Sequence, residues 1–239
     1  QFRGEEASET RLTWATELDS AASVRPFIVK NHYSKRFEVL VQDDAHTLYM
    51  VDHKGDILWR RGLNGPIKGK VQQVDRFKNG KLQFVFNTEN TLYMLDRNGR
   101  DVEDYPITLP SAATANISVF DYDQNRNYRL FIGCGQRILL FDVHGKPVSG
   151  WEYKKANSNL VGQAQLIQLG RKDYLAFFTA DGGVTLRNRR GQERVKMSGA
   201  VNLKDPELFV IKGATLADSR LVGLSATGQL TSIFLNGTV

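Results

Sequence analysis

A single cysteine, Cys134, stands in a chain of 239 residues. That scarcity excludes an intrachain disulfide framework and any Cys-x-x-Cys zinc or redox site. Long apolar runs are also missing: the longest extend over about five to seven residues, far short of the roughly 20 a helix needs to cross a bilayer. No transmembrane segment is expected. No basic opening leads into an apolar core, and the first residue is Gln1, so any targeting segment is expected to have been removed or to lie upstream. Apolar spacing at 3.6 residues is nowhere sustained, which predicts almost no helix. Neither sign of charge dominates. With 32 basic against 26 acidic residues, a net charge of +6 and a pI near 9.4, the surface is mixed rather than a polybasic tail, and nucleic acid is not an expected partner.

What is present is a folded composition, 41% hydrophobic and 10% aromatic, and a repeat. "VDHKG", "LDRNG", "FDVHG", "RNRRG" and "FLNG" place Gly55, Gly99, Gly145, Gly191 and Gly237 at intervals of 44, 46, 46 and 46 residues. A period of roughly 40 to 50 residues holding several short strands is the signature of a β-propeller, built from four-stranded blades around an axis.

Each period divides alike. In the second, "VQQVD" (71–75) reads as inner strand A, "KLQFVF" (81–86) as B, "TLYMLD" (91–96) as C and "DVEDYPI" (101–107) as D. "RFKNG", "NTEN" and "RNG" supply the Gly and Asn of tight reversals. Strands B and C are apolar on both faces, as a blade sandwiched between neighbours requires. The fold expected is all-β: a five-bladed propeller of four-stranded antiparallel blades. A leader over 1–10 precedes one domain over 11–239, with blades at about 25–62, 71–107, 116–153, 163–197 and 207–237. The last period supplies only A, B and C, whereas residues 11–18 read as a solitary D strand. The amino-terminal strand is therefore expected to complete the last blade and close the ring; a larger propeller with further blades upstream is the alternative.

Asp52, Asp96 and Asp142 end strand C, where a carboxylate can accept from turn amides while the following Gly takes positive φ. They read as turn devices, with Asn188 substituting in the fourth period. His53 and His144 fall inside the same turns as ordinary exposed residues. Paired cations on the outer strands, Arg60 with Arg61, Lys154 with Lys155 and Arg194 with Lys196, read first as protection of sheet edges. "GCG" at 133–135 is expected as a B-to-C turn with Cys134 a loop-tip thiol. In "DYDQNRN", Asp121, Asp123 and Asn125 have the alternate spacing that can wrap oxygens around calcium, but Arg126 stands where the sharp turn wants Gly. The A strands offer Gln72, Gln73, Ser118, Gln163, Gln165 and Gln168 toward the axis. Amides there do not provide the acid and base pair of a glycosidase.

"TLYMVDHKGDILWR" resembles the repeat of quinoprotein-type propellers, in which an apolar strand, Asp, a Gly turn and Trp follow one another. "FDYDQNRNYRLFIGCGQRILLFDVHGKPVSGW" is similar to the FG-GAP-type unit, in which an Asp-rich loop precedes a strand. Trp59 and Trp151 stand at or beside the repeat's Trp position. In the FG-GAP-type loop the last carboxylate ligand would fall at Arg129, a cation that opposes a metal. The quinone-dependent dehydrogenases of that superfamily use more blades, a calcium site and often a vicinal Cys pair, so neither their catalysis nor a pyrroloquinoline quinone (PQQ) cofactor is carried over. The resemblance implies a non-catalytic propeller of the kind appended to bacterial envelope proteins, including the scaffold of outer-membrane assembly, and hence an extracytoplasmic location in periplasm or at the surface.

The expected function is an interaction module that receives a protein or peptide on the face formed by the D-to-A and B-to-C connections. Those loops are rich in Asn, Ser, Thr and Gly, with Asn64, Asn90, Asn157 and Asn159 as candidate contacts. A carbohydrate-binding, lectin-like propeller is the alternative, and a five-bladed glycoside hydrolase the more distant one.

Overall fold

Short β-prone runs separated by turn residues produce strands alone. The computed structural model describes residues 13–197, 208–225 and 227–237, in which every regular element is a strand and no helix is long and apolar enough to cross a membrane. The chain divides into two compact units, Gln1–Leu63 and Asn64–Val239.

The first unit holds one antiparallel sheet in the order β1 (Phe27–Lys30), β2 (Phe37–Gln42), β3 (Thr47–Val51) and β4 (Ile57–Gly62). Leu40, Leu48, Tyr49, Met50 and Val51 are buried. Each such side chain withdrawn from water contributes on the order of 2 kcal/mol. The Tyr49 hydroxyl donates to Asp43 Oδ2 at 2.8 Å and accepts from the Asp19 amide at 3.2 Å. One face of the sheet differs: Ile28 and Phe37 share it with Val39 and are exposed.

The second unit stacks four sheets in chain order. They comprise β5 (Lys68–Val74), β6 (Gln83–Asn87), β7 (Thr91–Leu95) and β8 (Ile107–Thr108); β9 (Ser118–Phe120), β10 (Arg129–Cys134) and β11 (Arg137–Asp142); β12 (Leu160–Leu169), β13 (Lys172–Thr179), β14 (Val184–Arg187) and β15 (Glu193–Val195); and β16 (Phe209–Ile211), β17 (Arg220–Leu224) and β18 (Leu230–Phe234). β6 and β7 are buried at every position, as expected for strands enclosed on both faces. Val85, Met94, Leu130 and Ile132 share one core, Phe131, Trp151 and Phe177 the next, and Tyr174, Phe178, Leu221 and Ile233 the last. Gly133 shows how close these layers come: a Cβ there would lie 2.7 Å from Leu160 Cβ and 2.8 Å from Ala115 Cβ.

Outer strands depart from expectation. The D strand expected over 101–107 reduces to an Asp101 bridge to Leu95 and the two residues of β8, because Pro106 has no N–H to offer a ladder and Asp104 lies at φ 72°. The third sheet has three strands instead of four, its outer segment touching β11 only through the bridges Arg137–Lys155 and Phe141–Pro147. The fifth is also three-stranded among the described residues, and 13–18, expected as its D strand, carries no regular structure. An outermost strand pairs along one edge only, so a single proline or positive-φ residue suffices to interrupt it. The leader over 1–10, and Arg11 and Leu12 with it, lie outside the described residues.

Candidate functional site

The connections expected as a binding face are tied into layers. Among the described residues, the D-to-A segments after β8 and after the third sheet are hydrogen-bonded to B-to-C turns: Leu109 N–H to Asn90 O at 2.8 Å, Ala113 to Glu89 at 2.7 Å, Leu160 to Gly135 at 2.8 Å and Ala180 to Asn159 at 2.8 Å. Asn64, Asn90, Asn157 and Asn159 are all exposed there. Their roles differ. The Asn64 side chain is a brace, donating through Nδ2 to the Thr91 hydroxyl and accepting from Thr88 Oγ1 at 2.7 Å. Asn90 and Asn159 lend backbone carbonyls to the layering, and Asn157 O accepts from Gln136 Nε2 at 3.4 Å. The result is a firm polar surface with protruding amides.

The inner strands spend their amides on main chain. Gln72 Nε2 from β5 and Gln163 Nε2 from β12 both donate to Ile117 O, at 2.9 and 3.2 Å. The Ile117 N–H donates to Oδ1 of the fully buried Asn87 at 2.8 Å. Gln168 Nε2 donates to Tyr122 O at 2.8 Å and to Asp173 Oδ1 at 2.9 Å. These groups satisfy strand edges that would otherwise be unpaired.

At the opposite end lie the A-to-B and C-to-D turns. Asp52 Oδ1 accepts from the amides of Lys54 and Asp56 at 2.8 and 3.0 Å, Asp96 Oδ1 from Asn98 and Arg100 at 2.8 and 2.9 Å, and Asp142 Oδ1 from His144 and Lys146, both at 2.9 Å. Asn188 Oδ1 repeats the arrangement with Arg190 and Gln192. Slight desolvation opposes, but the amides prevail and hold the Asp52 carboxyl below its ordinary value. The turn glycines abut the outer segment of the sheet before them: a Cβ on Gly145 would meet Ile107 Cδ1, on Gly191 the Tyr153 amide and on Gly237 the Lys196 carbonyl, each at 2.5 Å. In the first unit a Cβ on Gly55 would likewise meet the Trp14 ring at 2.9 Å, and the Gly55 carbonyl accepts from Thr16 Oγ1 at 2.6 Å.

The calcium candidates sit in the β9–β10 turn, their oxygens facing donors. Asp121 accepts from the amides of Asn125 and Arg126 at 3.0 and 2.8 Å, and Asn125 Oδ1 from Asn127 N–H at 3.0 Å. Asp123 Oδ1 lies 2.7 Å from Arg189 Nη1. Asp75 makes the equivalent turn with Asn79 and Gly80 and meets Arg126 Nη1 at 2.9 Å. The oxygens of Asp121, Asp123 and Asn125 thus meet amide and guanidinium donors, and among the described residues no group of three or more His, Cys, Asp or Glu side chains is placed to hold a metal ion.

Cys134 differs from the loop-tip thiol expected. It ends β10 at 3% exposure among Val85, Ile117 and Ile132, and burial pushes its thiol up to about 11. The sequence pattern places it beyond the strand because "GCG" reads as a turn.

One cluster draws its members from separate periods of the sequence. Tyr122, Arg129, Trp151, Arg189 and Arg190 line a hollow on the turn-bearing end between the third and fourth sheets. The run "LRNRRGQER" supplies Arg189 and Arg190, whereas the aromatic partners Tyr122 and Trp151 come from another period.

No family model matches the chain, and no curated protein matches it. Among solved structures, BamB from Moraxella catarrhalis is similar at 18% identity and a TM-score of 0.48, over 92% of this chain and 72% of that one. Two structures of BBS1N in complex with ARL6DN, one soaked with mercury and one with lead, give TM-scores of 0.57 and 0.56 at 12% and 14% identity, over 83% and 90% of this chain. This chain spans 60% and 69% of the length of those two. The fold is of the β-propeller kind.

Proposed function

We propose that this chain is a non-catalytic interaction module that receives a protein or peptide on its D-to-A and B-to-C loop face. The observation that carries this reading is the layering of that face: four backbone hydrogen bonds pin the connections across the turns, leaving Asn90, Asn157 and Asn159 outward on a support that need not reorganise to bind. The inner strands support it too. Gln72 and Gln163 spend their amides on a main-chain carbonyl there, a bracing role that fits a non-catalytic module. A fold neighbour, BBS1N, is itself found in complex with ARL6DN.

The reading includes a ring of five blades with a quinoprotein-like repeat, closed by the amino-terminal segment, in an extracytoplasmic envelope compartment and without calcium or quinone. Closure is supported by Trp14, which stands to Gly55 as outer segments stand to the other turn glycines. The apolar faces of the first and fifth sheets support it as well. Ile28 and Phe37 on one, and Phe209, Ile211 and Leu230 on the other, are more than half exposed and call for cover.

The test is capture from envelope extracts by the chain and by Asn90→Ala, Asn157→Ala and Asn159→Ala, beside a glycan array. A protein retained by the parent and lost in the variants is the expected result. Glycan capture without protein capture overturns the reading.

A further inference from the structure

Two contiguous hollows open on the end that carries the A-to-B and C-to-D turns, away from the loop face. The smaller, of about 160 Å³, is lined by Tyr122, Arg129, Leu140, Val148, Trp151 and Arg190 among others. The larger, of about 590 Å³, includes Arg171, Arg190 and Arg194 together with Asp123 and Asp173. Arg189 and Arg190 belong to both.

Arg189 is the post between them. Its Nε meets Asp173, its Nη1 lies 2.7 Å from Asp123 Oδ1, its Nη2 donates to Tyr122 O at 3.3 Å and its guanidinium stacks over the Tyr122 ring at 4.8 Å. Both neighbouring aspartates are thereby neutralised. The remaining cations are not. Among the described residues Arg171 and Arg190 make no side-chain hydrogen bond or ion pair, and Arg129 bonds only the carbonyls of Asn127 and Tyr128. Arg194 lies over the Tyr174 ring at 5.1 Å. Beside them the Tyr122 hydroxyl is buried without a partner among the described residues, an arrangement that costs free energy until something accepts its proton. Desolvation pushes that phenol above its ordinary value, so it stays a donor.

The floor decides the class of ligand. Leu140, Val148 and Trp151 give the small hollow an apolar base beneath a cationic mouth, which suits an apolar side chain flanked by carboxylates better than a bare phosphate. A long polyanion is disfavoured by the exposed Glu152, whose carboxylate accepts from Gln192 Nε2 of the larger hollow at 2.8 Å, and by the exposed Glu193 that follows Gln192 in sequence.

We propose that this cleft is a second binding site, which takes a short acidic peptide segment of a partner, one apolar side chain entering between Trp151 and Val148 and its flanking carboxylates meeting Arg129, Arg190 and Arg171. It stands apart from the loop-face reading and does not depend on it.

The probe is the blocked peptide Glu-Asp-Leu-Asp-Glu, titrated calorimetrically beside its Gln-Asn-Leu-Asn-Gln counterpart. The acidic peptide is expected to bind, more weakly as salt rises, and the amide peptide not to. Arg171→Ala and Arg190→Ala should each weaken binding roughly tenfold, the loss of one charge-assisted hydrogen bond. Tyr122→Phe should weaken it while leaving urea unfolding no less stable, because the hydroxyl has no internal partner to lose. Asn157→Ala with Asn159→Ala should leave peptide affinity unchanged. Equal binding of the amide peptide, no binding at millimolar peptide, indifference to both arginine substitutions, or tighter arginine-dependent binding of duplex DNA or polyphosphate would each overturn the proposal.

Discussion

Gln72 and Gln163, 91 residues apart in sequence, donate to the same carbonyl oxygen, that of Ile117. The second sheet and the fourth are thereby tied to the residue that leads into β9 of the third, whose own N–H is held by Asn87. Two donors on one acceptor make the tie redundant.

That redundancy is measurable. Gln72→Leu or Gln163→Leu alone leaves the carbonyl one partner and should cost about 0.5 kcal/mol, whereas the double variant strands it and should cost about 2 kcal/mol, more than the two singles together. Urea denaturation of the four proteins of the cycle checks this. Additive losses would mean that the two amides act independently.

The turn glycines separate backbone strain from close approach. Gly80 at φ 80° has open space where a Cβ would stand, while Gly191 at φ 84° would drive one to 2.5 Å from the Tyr153 amide. Gly80→Ala is expected to cost about 1 kcal/mol for the left-handed conformation alone. Gly191→Ala should cost at least twice as much, read from the shift in thermal midpoint.

Acid should loosen the β13–β14 turn. The Thr179 hydroxyl, at 2.6 Å from Asp181 Oδ1, and then the Gly183 amide hold the Asp181 carboxyl below its ordinary value. A carboxyl depressed in the folded state contributes stability that is fully present above its unfolded value, near pH 4, and is lost as pH falls through the lower folded value. Stability followed by urea titration should therefore decline below about pH 4, and Asp181→Asn should remove part of that slope. An unchanged slope would place the acid sensitivity elsewhere.

Ring closure has a covalent test. In a Cys134→Ser background, Thr13→Cys combined in turn with Leu230→Cys, Ser232→Cys or Phe234→Cys should yield one oxidised, faster-migrating species, because neighbouring strands bring Cα atoms within the roughly 4.4–6.8 Å that a disulfide spans. If none of the three pairs cross-links, the amino-terminal segment does not run beside β18.

The repeat was legible because turn chemistry is local. Asp52, Asp96 and Asp142 each organise amides two and four residues ahead, so the motif survives in sequence, and Asn188 does the same work because its amide oxygen is an equivalent acceptor. The inner B and C strands were legible from apolar runs such as "FVF" and "LYML". Outer segments were not, since one proline such as Pro106 or one bulge decides whether a singly paired strand forms. The cleft around Tyr122 and Arg189 was invisible for another reason: its aromatic ring and its arginine belong to different periods, 67 residues apart, and no local pattern links them. Asn64 shows the limit from the other side, an amide that reads as a free contact yet is held by Thr88 and Thr91.

The burial of Cys134 gives the molecule an internal gauge. Enclosed between the second and third sheets, with its proton held tightly, the thiol is closed to alkylating reagents while those layers stay packed and becomes reactive once they part. The rate of its labelling in mild denaturant thus reports how often this stack breathes, with no engineered probe.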